Sequence, residues 1–378
     1  MLKVMSVYGS IGPTNVPIEA FLSRGTGLVE RFVVSSNQTD VEAVRAVCDC
    51  YPLATTSAFG LRCGRRGIRG VRKLLRLMRK VRPDVVHVHH ATSAAVSAMI
   101  AKVFCRAGVV FTLHNDFRKM LWRQKLCVFV AMVFADVILF NSHATSHSMP
   151  IWATRVLGRK ARRVVYNGVR KVDSDGRRKA TREDCSHVWE NGFAVLWVGR
   201  FVPQKNVNVL IEAFALVQRT LPNSVLVLAG EGELRSAIEG RCDELGIRQS
   251  VKFLGLVSRE TIWQLNCASD VMVVPSRFEG FCNAMVEAML ASKPVVASDI
   301  PVLREVLGEG CGRFFPVGDA EQLAKEIMVL AADKGLRESL GVAAHQRATS
   351  FFTLESAARK QGRCYQSLAR RRQRGGAV

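Results

Sequence analysis

Two Rossmann-like α/β domains are predicted for this chain by three features: its length, its short aliphatic runs and the loops that close those runs. At 378 residues it is long for a single core and natural for two domains of common size. Aliphatic runs at residues 85–88, 109–113, 137–140, 225–228 and 271–274 recur between helix-forming stretches. They lack polar alternation, so they suit parallel strands buried on both faces. Ligands of open α/β sheets bind at the carboxyl edges of such strands, which makes the residues just after each run the candidates for function.

Taken in order, residues 1–8 read as a first strand, since they lack the longer apolar core of a signal peptide. A loop from Gly9 to Pro13 follows, in which Gly12 is the candidate for close backbone approach to a ligand and Pro13 removes one N–H. Residues 62–82 carry ten basic side chains and no acid, with Ile68, Val71, Leu74, Leu75, Leu77, Met78 and Val81 at roughly helical spacing. That describes a basic amphipathic helix. His87, His89 and His90 end the next strand, and alternation is expected to turn their rings to opposite faces in structural roles. His114 ends the run 110–113 and sets an imidazole at the carboxyl end of a buried strand. Residues 126–140 are too few to span a bilayer, contain Asp136, and read as a helix running into a strand.

Residues 171–191, rich in Arg, Lys, Asp and Ser, read as a linker between a first domain at 1–170 and a second at 192–348. A helix with a basic end closes the chain at 349–378. In the second domain the run 195–198 ends in Gly199 and Arg200, followed by Lys205 and Asn206. Two cations at a strand edge suit a diphosphate, Arg by bridging two oxygens and Lys as a point charge. Further on, Glu279 sits on a loop between a strand and a helix, and Glu287 lies inside that helix. A loop carboxylate can take hydrogen bonds from sugar hydroxyls, a helix carboxylate can reach a ribose diol, and the N–H groups of Gly280 and Phe281, expected at the helix start, can bind a phosphate. Cys282 has no base beside it and reads as packing.

The blocks VGRFVPQKNVNVLIEAF at 198–214, LAGEGELR at 228–235, VKFLGLVS at 251–258 and the stretch from Ala268 to Gly308 occur in an order that resembles the retaining glycosyltransferases of family 4. Looser matches at 83–90, 110–114, 137–142 and 165–169 extend the resemblance over nearly the whole chain. It implies the GT-B fold, two Rossmann-like domains facing a cleft, with the terminal helix returning to the first. It also implies a UDP-sugar or GDP-sugar donor; no cofactor and no metal are expected, since Arg200 and Lys205 can meet the phosphate charge directly, and the charge of the first domain set out below points to a saccharide or polyprenyl-diphosphate-linked acceptor in surface polysaccharide synthesis. By the same resemblance Glu279 and His114 orient the donor sugar, Glu287 holds the ribose, and Asn206 supports Lys205. The glycine loop approaches the donor phosphates, and the base lies against residues 254–257, including Leu256. Reaction with retention would have the departing phosphate oxygen take the acceptor's proton while Arg200, Lys205 and the Gly280 and Phe281 amides stabilise the leaving diphosphate. A sugar-nucleotide epimerase or phosphorylase on the same fold, or a silent scaffold, stays open at this point.

Charge is the feature the resemblance does not account for. Residues 1–168 hold 25 Lys and Arg against 8 Asp and Glu, net +17, whereas residues 169–378 hold 29 against 24, net +5. The excess in the first domain, above all at 62–82 and at Lys119, Arg123 and Lys125 around Trp122, suits an anionic membrane surface. Nucleic acid is the rival partner and is excluded because no helix-turn-helix, zinc-finger or RNP pattern occurs. Asp173-Ser174-Asp175 copies a metal-binding spacing of another transferase architecture, but it lies in a polar linker with no strand before it. Eleven cysteines without paired spacing suit a reducing setting, which places the protein in the cytoplasm, at the inner face of the membrane.

Overall fold

The computed structural model describes residues 2–8, 29–35, 56–58, 65–89, 91–158, 160–169, 188–189 and 192–375. Gly12, His90, Asp173 and Asp175 lie outside them. The chain forms two compact units, Met1–Gly168 joined by Leu354–Val378, and Val169–Thr353.

In the first unit seven strands are all parallel: β1 (Leu2–Tyr8), β2 (Val29–Ser35), β3 (Thr56–Ala58), β4 (Val85–Val88), β5 (Gly108–Leu113), β6 (Val137–Phe140) and β7 (Ala161–Val164). Their order is β3-β2-β1-β4-β5-β6-β7. Among the described residues its helices before the inserted unit are α1 (Arg65–Val81), α2 (Ala91–Met99, running into a π-turn at Ile100–Phe104), α3 (Trp122–Phe134), α4 (His143–His147) and α5 (Ile151–Leu157). One face of the sheet sets Val86, Val88, Val109, Phe111, Ile138 and Phe140 against α1 and α3, through Leu74, Met78, Val128 and Met132. Burying each such side chain contributes about 1.5–3 kcal/mol.

Because Leu74 and Met78 are fully buried, the apolar stripe of α1 is spent on the core. Val71, Leu75 and Leu77 pack half-buried against the same core, and Arg72, Arg76, Arg79 and Lys80 are exposed. The helix stops at Val81, two residues before Pro83, whose ring disfavours a helical residue ahead of it.

The second unit holds β8 (Ala194–Val198), α6 (Val207–Thr220), β9 (Val225–Ala229), α7 (Arg235–Glu244), β10 (Val251–Gly255), α8 (Arg259–Ala268), β11 (Val271–Val274), α9 (Asn283–Leu290), β12 (Val295–Ser298), α10 (Pro301–Leu307), β13 (Arg313–Phe315), α11 (Ala320–Ala332) and α12 (Lys334–Phe351). Its six strands are parallel in the order β10-β9-β8-β11-β12-β13. The aliphatic runs read from the sequence at 225–228 and 271–274 are buried throughout.

The last helix, α13 (Leu354–Gly375), belongs to the first unit. It covers the second face of that sheet, where Cys364, Tyr365 and Leu368 cluster with Val4, Val85, Val110, Val137 and Leu139. Gly108 makes this approach possible, since a Cβ there would come within 2.9 Å of the Leu368 side chain.

In both sheets the chain order reverses beside a central strand, between β1 and β4 and between β8 and β11. A reversal leaves a crevice at the carboxyl ends of the two strands, because the connecting segments depart to opposite sides.

Candidate active site

In the second unit the reversal lies where β8 and β11 end, and the sequence places its candidate cations and carboxylate there. After Val198 the chain leaves the sheet through Gly199 and exposed Arg200. Gly199 N–H donates to Ala229 O, and Phe201 N–H to Glu231 O, so this loop is tied to the end of β9. The approach is too close for side chains. Gly230 sits at φ +144, and a Cβ there would fall 1.7 Å from Gly199 O.

A single 3-10 turn, Pro203–Lys205, follows, and Asn206 in the left-handed region (φ 52, ψ 40) redirects the chain into α6. Asparagine is among the few residues that tolerate this conformation. Past β11 the opposing loop runs through Ser276, Arg277 and Phe278. The two loops are stitched together: Arg277 N–H donates to Gln204 O at 2.9 Å, Gln204 Nε2 to Phe278 O at 2.9 Å and Arg277 Nε to Asn206 Oδ1 at 3.1 Å.

On this frame Lys205 Nζ meets Glu279 Oε1 at 2.5 Å, and the same oxygen accepts from Ser276 Oγ at 2.7 Å. The Glu279 side chain is 7% exposed and that of Lys205 17%. Burial and the Arg200 charge push the Lys205 ammonium down, whereas the neighbouring Cys282, the charge of Glu279 and the Glu279 hydrogen bond push it up, and the pKa lies above the usual lysine value. Cys282 lies beside the pair. Burial, reinforced by Glu279, pushes its thiol up to about 12, so it is a neutral group and no nucleophile at ordinary pH.

Three expectations need correction. The helix behind Glu279 begins at Asn283, with Cys282 (φ 70, ψ 76) at its N-cap, so Gly280 and Phe281 precede the helix and do not open it. Cys282 in the left-handed region turns the chain there and delays the first helical turn. Asn206 receives Arg277 and not Lys205; its Nδ2, among the buried polar atoms, has no hydrogen-bond partner. Third, His87 and His89 are two residues apart and share one face of their strand, with ring centroids 3.8 Å apart.

Glu287 lies on α9 and is partly accessible. Desolvation raises its pKa, and the Arg259 charge opposes the rise. The backbone turns at Gly255 (φ +68), and Leu256 stands 80% exposed after it. Nearby, Arg235 of α7 pairs with Glu231 and Glu239.

The first unit carries its own edge cluster, built at the ends of β1, β4 and β5. His114, just past β5, has its carbonyl oxygen held by Asn141 Nδ2 at 2.8 Å, and its Nε2 meets His89 Nδ1 at 3.1 Å. The His89 ring is stacked on Tyr8 at 4.3 Å. Behind it, fully buried His87 bonds Thr112 Oγ1 through Nε2 at 2.7 Å and Tyr365 Oη through Nδ1 at 2.5 Å. Gln361 Nε2 also reaches His87 Nδ1, at 2.9 Å, and donates to Tyr365 Oη at 2.7 Å. Since Nδ1 accepts here, the hydrogen of His87 belongs on Nε2, facing Thr112.

Sequence reading named His114, Lys205 and Glu279 but not Ser276, Gln204 and Arg277 around the ion pair, nor Tyr8 and Tyr365 behind the histidines, and it named His89 without seeing that it holds His114. Only His89 carried a legible signal, its spacing of two from His87. Among the described residues no three His, Cys, Asp or Glu side chains gather as a metal site.

Family models settle what this architecture belongs to: glycosyl transferases group 1 matches residues 182–347, and glycosyltransferase family 4 matches residues 27–171. The chain belongs to glycosyltransferase family 4. A phosphatidyl-myo-inositol mannosyltransferase of Mycobacterium leprae is 29% identical to this family 4 chain over 295 residues, 76% of this chain and 74% of that protein. An uncharacterised glycosyltransferase of Methanocaldococcus jannaschii is 33% identical over 181 residues, 47% of this chain and 46% of the relative, so the chain spans about half the length of that relative. Among solved structures, HepE of Anabaena, crystallised with UDP and glucose, superposes with a TM-score of 0.81 at 21% identity, covering 97% of this chain and 100% of that one. The two parallel-sheet units are thus those of the GT-B fold.

Proposed function

We propose that this glycosyltransferase moves a hexosyl group, with retention at the anomeric carbon, from a UDP-sugar or GDP-sugar to a saccharide carried on a lipid diphosphate, in the synthesis of a surface polysaccharide. The observation that carries the donor half is the Lys205–Glu279 pair beside Arg200 at the β8/β11 reversal. A diphosphate arriving there meets Arg200 in solvent and a lysine held charged and positioned by a buried carboxylate. Preorganised charge of this kind stabilises the leaving group most where it costs no rearrangement. Glu279 keeps a second carboxylate oxygen to accept from sugar hydroxyls while Ser276 and Lys205 hold the first. Glu287 is assigned to the ribose diol, the Gly255–Leu256 turn to the base, and His114 to the donor sugar. The Cys282 thiol is excluded as a nucleophile, which fits a reaction in which the departing phosphate oxygen takes the acceptor's proton.

The acceptor half rests on the charge of residues 1–168, net +17, which donor binding does not require. It supports work at an anionic membrane from the cytoplasmic side. No described helix is long and apolar enough to cross one.

Thermal-shift screening of UDP, GDP, UDP-glucose and GDP-mannose tests the donor assignment, since a ligand at a hundred times its Kd stabilises by about 2.7 kcal/mol. Stabilisation by one nucleotide series is expected in wild type and is expected to vanish in Arg200→Ala. Product analysis with and without a saccharide acceptor then separates transfer from epimerisation or phosphorolysis. Turnover is expected to persist in chelator; full loss restored by magnesium or manganese would return Asp173 and Asp175 to consideration.

A further inference from the structure

Helix α3 is apolar on both sides. Val128, Ala131 and Met132 face the sheet core, whereas Trp122, Leu126 and Val133 stand 69%, 57% and 42% exposed on the opposite side. A helix that is apolar all round is ordinarily covered all round. Beside it, α5 exposes Ile151, Trp152 and Val156, and the Trp152 ring lies 5.0 Å from Phe129 of α3, so the two helices present one continuous apolar surface. Ten of the fourteen exposed large hydrophobic side chains among the described residues fall between residues 99 and 156, which makes this a patch and not ordinary scatter.

The charges around the patch choose its occupant. Residues 99–160 include nine Lys and Arg, with Arg123 lying over the Trp122 ring at 5.3 Å and Lys125 and Arg155 on the same two helices. Their only acids, Asp116 and Asp136, are turned inward to the chain. Asp116 accepts from Arg118 N–H at 2.8 Å, and Asp136 takes Val109 N–H and Lys102. Tryptophans with cations beside them match the boundary between headgroups and acyl chains, where rings bury their bodies and long basic side chains reach back to phosphate. A second copy of the same face would oppose like charges. The cationic helix α1 offers less apolar surface, since Leu74, Met78 and Val81 are buried and Val71, Leu75 and Leu77 pack half-buried against the core.

We propose that the α3–α5 face is the surface by which this protein lies on an anionic lipid bilayer, with Trp122, Leu126, Ile151, Trp152 and Val156 entering the interface. The proposal deepens the membrane part of the reading above. It does not depend on the donor chemistry, and it is tested without donor or acceptor, so either can fail alone.

The test uses the full chain with vesicles of phosphatidylcholine, with and without phosphatidylglycerol, and a third set whose acyl chains are brominated. Of the five tryptophans, Trp189, Trp197 and Trp263 are buried, so quenching by brominated chains reports on Trp122 and Trp152. Wild type is expected to sediment with phosphatidylglycerol vesicles and to be quenched by brominated ones. A Leu126→Ser, Ile151→Ser, Val156→Ser variant, altered only at exposed positions, is expected to keep its melting temperature and lose binding by about tenfold or more. Arg72→Gln, Arg76→Gln and Arg79→Gln together are expected to weaken binding only a few-fold and to leave quenching of the bound protein intact. Unchanged binding of the serine variant, absence of quenching, or no wild-type binding at low salt would each overturn the proposal. So would a vesicle-free wild-type dimer that the serine variant abolishes, which would make a second copy the occupant.

Discussion

At the carboxyl edge of β8 and β11 full charges meet, Lys205 on Glu279 at 2.5 Å; at the edge of β4 and β5 rings meet, His89 on His114 at 3.1 Å. The sheets share the same reversal of strand order, so topology does not explain the contrast. What differs is what each loop must hold. An ion pair with little solvent keeps a cation charged and fixed, which suits a leaving group with negative charge. A hydrogen bond between imidazoles fixes a ring without fixing a charge, which suits contact with neutral hydroxyls. One fold thus gives two kinds of edge, set by a few loop residues.

The largest effects are expected where charge is removed. Arg200→Ala and Lys205→Ala should each lower kcat by roughly a hundredfold or more. They should part on stability: Lys205→Ala leaves Glu279 buried without its cation and should lower the melting temperature, whereas Arg200 is exposed and its loss should not. Turnover of folded Arg200→Ala within a few-fold of wild type would break the assignment of that edge.

A smaller effect is expected at the ring edge. His89 touches His114, so His89→Ala should reduce kcat about ten- to hundredfold by letting the ring drift, with donor KM nearly unchanged. His89→Gln, which can still bond, should recover part of it. Equal loss of folding in both variants would reduce His89 to a packing residue.

The smallest effect is a gain. Glu287 has a raised pKa through desolvation, so the folded state holds its proton more tightly than the unfolded one. That contribution is fully favourable below the unfolded value and is lost as pH rises through the folded one. At neutral pH Glu287→Gln should therefore raise the melting temperature, by about 2 °C, while weakening nucleotide binding. A fall in melting temperature would show that Arg259 outweighs the desolvation.

The fold was legible because parallel strands covered on both faces need uninterrupted aliphatic runs. Val137–Phe140 and Val271–Val274 appear in the sequence as they appear in the sheets. Lys205 and Glu279 were legible as strand-edge residues, but their pairing was not, since 74 positions separate them and only the 3-10 turn and Asn206 bring them together. The start of α9 was misplaced because a left-handed Cys282 has no residue-type signal, unlike a glycine. Tyr365 and Gln361 were invisible as partners of His87 because they come from a helix more than 270 positions away.

That helix has a consequence for how the protein is made. The first unit is interrupted in sequence: Val169–Thr353 is inserted between Gly168 and α13, and Val169 pairs with Thr353 where the chain leaves and re-enters. On the ribosome the inserted unit is therefore complete before its host. Until α13 emerges, the face of the first sheet formed by Val85, Val110 and Leu139 has no cover, and His87 lacks Tyr365 and Gln361. A fragment of residues 169–353 is a contiguous folding segment. A fragment of residues 1–168 is not, and it should expose that sheet face and aggregate unless α13 is supplied, even as a separate peptide.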